Sequence, residues 1–177
     1  MSPTLGVIVV AYGSADDLPV TLGALAPQLA EGDQVVVVDN ASPDDSAAVA
    51  RAVMPEAIVL ETGVNGGFAG GTVAGARAVG DVDLLLFLNP DAVPAPGCVD
   101  ALRAAAAQHP TWGAWQALVT LPGGAEVNTA GNLVHFLGFG WANQSAKGLV
   151  CQRCGYVHLF MPGMIRLWEP PKDVSSS

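Results

Sequence analysis

The chain has 177 residues, 51% of them hydrophobic and 13% charged, with a formal net charge of -9. That composition excludes a disordered chain, and the acidic balance argues against nucleic-acid binding, which needs a basic stripe. No apolar run approaches the roughly 20 residues that span a bilayer.

The length fits one domain with a substantial core. "MSPTLGVIVV" enters a strand without the positive segment of a signal peptide. Three cysteines (Cys98, Cys151 and Cys154) give no secreted disulfide framework. The expected location is the reducing cytoplasm, with any membrane association peripheral, at the inner face.

In chain order, "LGVIVVAY" (5–12) reads as a buried strand, followed by Gly13-Ser14 and a helical pattern from Asp16 to about Leu29. "QVVVVDN" (34–40) is a second strand. Ser42 then precedes Pro43, which suits an N-cap with proline at the first helical position, and Asp44 and Asp45 suit the positive end of that helix. "AIVLE" (57–61) is a third strand, and a glycine-rich segment after it opens a helix running to Val79. "DLLLFLN" is the fourth strand, and a helix from about Gly97 to Gln108 follows. "WGAWQALVTLPGGAEVNTAG" predicts a hairpin turning at Gly123-Gly124. Alternating strands and helices, with strands apolar almost throughout, predict a parallel sheet covered on both faces.

Ligands in such sheets bind at the carboxyl ends of the strands, where the strand order reverses. Three of the predicted strands end there in polar groups: Tyr12-Gly13-Ser14, Asp39-Asn40 and Asn89-Pro90-Asp91. Pro90 has no amide to continue pairing, so the fourth strand stops and leaves Asp91 at the mouth of a crevice shared with Asp39. Asp39 serves equally well as a cap for its loop. Asp91 has no helix start to cap, because Pro94 and Pro96 delay the next helix. "NGGFAGG", Asn65 to Gly71, lets backbone approach a ligand or forms a tight packing turn. It matches neither the dinucleotide fingerprint nor the P-loop, and G-x-S-x-G and H-E-x-x-H are also missing from the chain. Residues 1–146 hold only three bases, Arg51, Arg77 and Arg103. A phosphorylated ligand would therefore depend on backbone amides and a hard divalent cation held by Asp91.

"VVAYGSADDLPVTLGAL", "VVVVDNASPDDS", "NGGFAGG" and "LLFLNPDA" occur in the order seen in family-2 glycosyltransferases, and residues 5 to 142 resemble most the rhamnosyltransferase-like branch. The resemblance implies a GT-A fold: a Rossmann-like α/β fold with a mainly parallel sheet, here with an incomplete acceptor half. It implies inverting transfer of a sugar from a nucleotide-diphosphate sugar to a saccharide or lipid-linked acceptor, assisted by Mg2+ or Mn2+, as in cell-wall or polysaccharide biosynthesis. Carried over by position, Ala11, Tyr12 and Asp39 hold the nucleobase and ribose. Asn65, Gly67, Phe68, Gly70 and Gly71 line the nucleotide pocket. Asn89-Pro90-Asp91 stands at the family's Asp-x-Asp position, with Asp91 the metal ligand and Asn89 replacing an acid of many relatives. Thr72-Val73 replaces a frequent Asn-Asn.

The family's general base is expected in an acidic segment after the hairpin, and this chain has none, so the catalytic residue stays unassigned. The expected division is a donor-binding domain at 1–146 and an atypical tail at 147–177. That tail carries Lys147, Arg153, Arg166 and Lys172 against Glu169 and Asp173. Two readings of it stand: a truncated chain ending in an unrelated, disordered or frameshifted stretch, or a genuine accessory segment. Cys151, Cys154 and His158 are too few ligands for a closed zinc site. His109 and His135 read as a helix-end and a packed residue, and Phe136, Phe139 and Trp141 as cover for a sheet edge. Two alternatives belong to other classes. One is a non-catalytic module that binds nucleotide sugar or a partner. The other is a nucleotidyltransferase, which would want a glycine-rich loop and a base after the first strand, where Ala11-Tyr12-Gly13-Ser14 stands.

Overall fold

A computed structural model of the chain describes residues 2–120 throughout, and beyond them the strand segments 127–129, 132–134, 140–142 and 157–160. Four apolar runs form parallel strands, β1 (Leu5–Ala11), β2 (Gln34–Asp39), β3 (Ile58–Glu61) and β4 (Leu84–Leu88). β1, β4 and nearly all of β2 are buried along their length, as strands covered on both faces must be. The helices between them are α1 (Leu18–Leu25), α2 (Ser46–Val53) and α3 (Gly67–Ala78), and α4 (Cys98–Gln108) follows β4. Beyond these come β5 (Ala114–Gln116), β6 (Val119–Thr120), β7 (Val127–Thr129), β8 (Asn132–Val134), β9 (Gly140–Ala142) and β10 (Val157–Phe160).

The main sheet has six strands in the order β3-β2-β1-β4-β10-β5. β10 runs antiparallel to both β4 and β5. Strands β6 and β7 form the antiparallel pair expected of the hairpin, and β8 pairs with β9. The turn at Gly123-Gly124 lies outside the described residues, as does most of the 147–177 segment apart from β10.

Two cores sandwich the sheet. On one face Leu5, Val7, Val9, Val35, Val37, Leu84, Leu86 and Leu88 meet Leu18, Leu22 and Leu25 of α1, Ala50 of α2, and Val99 and Leu102 of α4. On the other, Ile8, Val10, Val36, Val38, Leu85 and Phe87 meet Ala74, Ala76 and Ala78 of α3. The chain steps outward from β1 to β2 to β3, then crosses back through α3 to β4 on the other side of β1. The order therefore reverses at β1.

Two local expectations change. The first helix ends at Leu25 and tightens into a 3-10 turn at Ala26–Gln28, because Pro27 has no amide to donate and its ring crowds the preceding turn. The second helix begins at Ser46, with Asp45 as N-cap, so Ser42 is not its cap. The Ser42 hydroxyl instead accepts the Gly13 amide at 3.2 Å, a long-range partner that outcompetes the local one.

Candidate functional site at the carboxyl edge of the sheet

The parallel register brings the strand ends together. Ala11 of β1 stands beside Asp39 of β2, Asp39 beside Glu61 of β3, and Val9 beside Leu88 of β4. The loops after β2 and β4 thus flank the loop after β1 at one edge, with Asp39 on one side and Asn89-Pro90-Asp91 on the other. No group of three or more His, Cys, Asp or Glu side chains able to hold a metal is found among the described residues.

Ala11 is fully buried, and Tyr12, the next residue, is 55% exposed. The three amides that follow are already engaged. Gly13 donates to Ser42 Oγ, Ser14 to Ser46 Oγ at 2.9 Å and Ala15 to Asp44 Oδ2 at 3.0 Å. Asp44 also accepts the Ser46 amide at 3.1 Å and the Ser46 hydroxyl. The Ser46 hydroxyl, with the Ala15 amide, holds the Asp44 carboxyl below the usual carboxylate range. A side-chain carboxylate thus occupies the anion-binding position of the loop after β1, which leaves no amide cradle there for a phosphate.

Asp39 is a carboxylate only 7% exposed. Its carboxylate accepts one long bond, from the Ser42 amide at 3.4 Å. Its backbone carbonyl is pinned by Thr62, through the amide at 3.0 Å and the hydroxyl at 3.1 Å. A buried acid with so little compensation at a ligand-binding edge is a candidate acceptor for ligand hydroxyl or N–H groups. Strand alternation sends Asp39 to the face of Val35 and Val37 and Asn40 to that of Val36 and Val38.

Asn40, 3% exposed, has a side chain whose hydrogen-bonding capacity is used on the glycine segment. Its Oδ1 accepts the Gly66 amide at 3.0 Å, and its Nδ2 donates to Asn65 Oδ1 at 2.9 Å and to the Gly67 carbonyl at 3.2 Å. Asn65 Oδ1 accepts the Gly67 amide at 2.9 Å as well. In the sequence Asn40 stands out only as a polar strand end. The available signal was that this segment needs an acceptor and donors from one side chain, which asparagine supplies and aspartate does not.

The predicted glycine segment divides by role. Gly67 has φ +68°, a conformation that disfavours other residues. A side chain added at Gly67 or Gly70 would meet open space, so bare backbone faces outward there. Phe68, 53% exposed, stands between them. A Cβ at Gly71 would come within 2.5 Å of Val10 Cγ1. Gly71 therefore faces the sheet and lets the helix approach it, and is not brought to the crevice with the others. The N-cap Gly66 offers no side chain, and the Gly66 and Gly67 amides are taken by Asn40 and Asn65, so the next first-turn amides, those of Phe68 and Ala69, carry the positive end of α3 toward the edge.

Asn89 and Asp91 sit in a turn closed by the Ala92 amide on the Asn89 carbonyl at 3.1 Å. Asn89 is half-buried and Asp91 exposed. The Asp91 carboxylate has no hydrogen bond or ion pair with any described residue. Of the arginines counted from sequence, Arg51 is paired with Glu61 at 2.5 Å and Arg103 with Asp33. Arg77 lies in the last turn of α3, at the far end of that helix. Of these, only Arg51 stands at the carboxyl edge, where its partner Glu61 already engages it at the end of β3, so diphosphate charge near Asp91 would find no uncommitted arginine beside it among the described residues. A bare hard oxygen fits the way Mg2+ or Mn2+ is usually held, by one or two carboxylates plus phosphate oxygens, and the positive end of α3 suits the phosphate.

His109 caps the end of α4 and stacks on Trp112, ring centroids 4.1 Å apart. The side chains of His135, Phe136, Phe139, Trp141, Cys151, Cys154, His158, Glu169 and Asp173 lie outside the described residues.

This arrangement is that of a GT-A domain. The family model of glycosyl transferase family 2 matches residues 6–147; the chain belongs to that family. N-acetylglucosaminyl-diphospho-decaprenol L-rhamnosyltransferase from Mycobacterium tuberculosis is 28% identical over 135 residues, 71% of this chain and 44% of that protein. The chain thus spans less than half the length of the curated relatives it matches. Among solved structures, a Pyrobaculum calidifontis mannosyltransferase in complex with GDP-Man and Mn2+ superposes with a TM-score of 0.59 at 24% identity, over 69% of this chain and 37% of that one. Glucosyl-3-phosphoglycerate synthase from Mycobacterium tuberculosis, with Mn2+, UDP and phosphoglyceric acid, gives 0.57 at 19% identity, over 69% and 45%. No helix among the described residues is long and apolar enough to cross a membrane.

Proposed function

We propose that this chain binds a nucleotide-diphosphate sugar across the carboxyl edge and transfers the sugar, with inversion, to a hydroxyl of a saccharide or lipid-linked acceptor. The observation that carries the reading is the bare Asp91 carboxylate at the edge where the strand order reverses, with the one described arginine at that edge, Arg51, already paired with Glu61. Tyr12 and Asp39 hold the nucleobase and ribose, and Asn65, Gly67, Phe68 and Gly70 line the nucleotide pocket. Asn89 and Asp91 face the diphosphate, with Asp91 the ligand for Mg2+ or Mn2+. When bound, that cation supplies Lewis-acid stabilisation of charge on the departing nucleoside diphosphate.

In the transfer, the bond from the anomeric carbon to the diphosphate oxygen breaks through an oxocarbenium-like transition state. The acceptor hydroxyl forms its bond on the opposite face. The hydroxyl proton must pass to a base, and no described residue is assigned that role. The second reading is a module that binds nucleotide sugar or a partner without turnover. Residues 1–146 form the donor-binding unit in either case, and a lipid-linked acceptor would place the protein at the inner face of the membrane.

Titration calorimetry with UDP-, GDP- and dTDP-sugars, with and without Mn2+, tests the site. Asp91→Ala is expected to reduce donor affinity to its metal-free level. Unchanged Mn2+-dependent affinity in that variant would remove the assignment. Binding with no transfer to acceptor would favour the second reading.

A further inference from the structure

The connection that carries Asp91 is poor in bonds of its own. Residues 89–97 contain Pro90, Pro94 and Pro96, which donate no amides. Within it the one backbone bond is Ala92 to the Asn89 carbonyl, and at its junction with α4 Cys98 donates to the Ala95 carbonyl and Ala101 to the Gly97 carbonyl. Its attachment comes from α1 and the 3-10 turn that follows it. The Thr21 hydroxyl donates to the Pro90 carbonyl at 2.6 Å. Two turns further along, Gln28 Nε2 donates to the Pro94 carbonyl at 3.2 Å, and its Oε1 accepts the Val99 amide at 3.3 Å.

Thr21 is 1% exposed and sits among Leu18, Leu22 and Leu25, all fully buried. A hydroxyl in such surroundings is costly unless it is bonded, and its bond goes to the carbonyl of the Pro90–Asp91 peptide. The plane of that peptide sets the direction in which the Asp91 side chain leaves the backbone. We infer that Thr21 is a positioning residue, whose hydroxyl fixes this peptide and so aims the Asp91 carboxylate at the cation and diphosphate. This rests on the metal–diphosphate reading proposed above.

The test uses the full chain. Mn2+ is titrated in the presence of UDP, GDP and dTDP in turn, with free Mn2+ followed by electron paramagnetic resonance. Nucleotide affinity without metal and the metal-free Tm are measured alongside. Removing an outer partner of a metal ligand typically costs about tenfold or more in metal affinity. Thr21→Val keeps the side-chain shape and removes the donor. It is expected to weaken Mn2+-dependent binding about tenfold and leave metal-free nucleotide affinity unchanged, whereas Thr21→Ser restores the wild-type behaviour. Should the valine variant fail to fold, Thr21→Cys, a weaker donor, is expected to fall between serine and wild type on one side and full loss on the other.

Three results would overturn the inference: wild-type Mn2+ affinity in Thr21→Val, an equal loss of metal-free binding, or a serine variant as weak as valine. If the wild-type chain shows no Mn2+-dependent binding, the metal–diphosphate reading itself falls and takes this inference with it.

Discussion

Asp39, Asn40 and Ala41 do three different jobs in consecutive positions. Asp39 offers its carboxylate at the edge, Asn40 turns to the opposite face to hold the glycine segment, and Ala41 bends the chain so that the Ser42 amide returns to Asp39. The bend is costly, since Ala41 has φ +60°, and it is the one described residue other than glycine with positive φ. Left-handed backbone costs an ordinary residue about 1 kcal/mol. Such strain concentrates where a site fixes the chain. Ala41→Gly is therefore expected to raise stability by about 0.5–1 kcal/mol in urea denaturation, without tighter donor binding. A loss of stability would show that the alanine methyl makes a contact worth more than the strain.

At the scale of elements, α3 approaches the sheet more closely than a helix with side chains on that face allows. A Cβ at Gly75 would lie 2.4 Å from Ile8 Cγ2 and 3.0 Å from Val38 Cγ2. Those neighbours are β-branched side chains on central strands, stiff at χ1 and unable to swing away. Gly75→Ala is expected to destabilise by about 1–3 kcal/mol through overpacking, read as a lower Tm. Because α3 must shift outward, its first-turn amides move with it, and nucleotide affinity should fall too. Gly71 and Gly75 thus set the helix height, while Gly66 and Gly67 shape its start. Residue type and spacing alone did not separate these duties, since the sequence shows glycines and not which way each one faces.

At the scale of the molecule, the two edges of the sheet are specialised. The carboxyl edge keeps Asp91 bare and Asp39 weakly bonded, while Asp44 and Glu61 there are tied to their own partners. The opposite edge is fastened by Arg103 of α4, which donates to Asp33 and to the Pro3 carbonyl. Asp33 also accepts the Leu5 amide at 2.9 Å and the Ala30 amide at 2.8 Å. The pair is buried, with side-chain exposures of 8% for Arg103 and 1% for Asp33, so deleting one partner strands a charge. Arg103→Met is expected to cost about 3–5 kcal/mol in chemical denaturation. Nucleotide affinity of the folded protein should stay unchanged, because the pair lies at the end of the sheet away from the site. A parallel loss of affinity would mean that the two edges are coupled.

The amino-acid sequence by itself determined the four strands β1 to β4, their common direction and the polar residues at their carboxyl ends, but not the antiparallel β10 that joins their sheet from the tail. Those follow from apolar runs, glycine and proline punctuation and chain connectivity, all local in the chain. Only the tertiary structure decided that Ser42 and Asp44 close the loop after β1, that Gly71 serves packing, and that Arg51 and Arg103 are committed to Glu61 and Asp33. It also decided that Thr21 reaches a carbonyl 69 residues away. The reason is physical: a donor or a glycine carries no mark of its partner in the sequence, and close packing of distant segments chooses which acceptor or neighbour it meets.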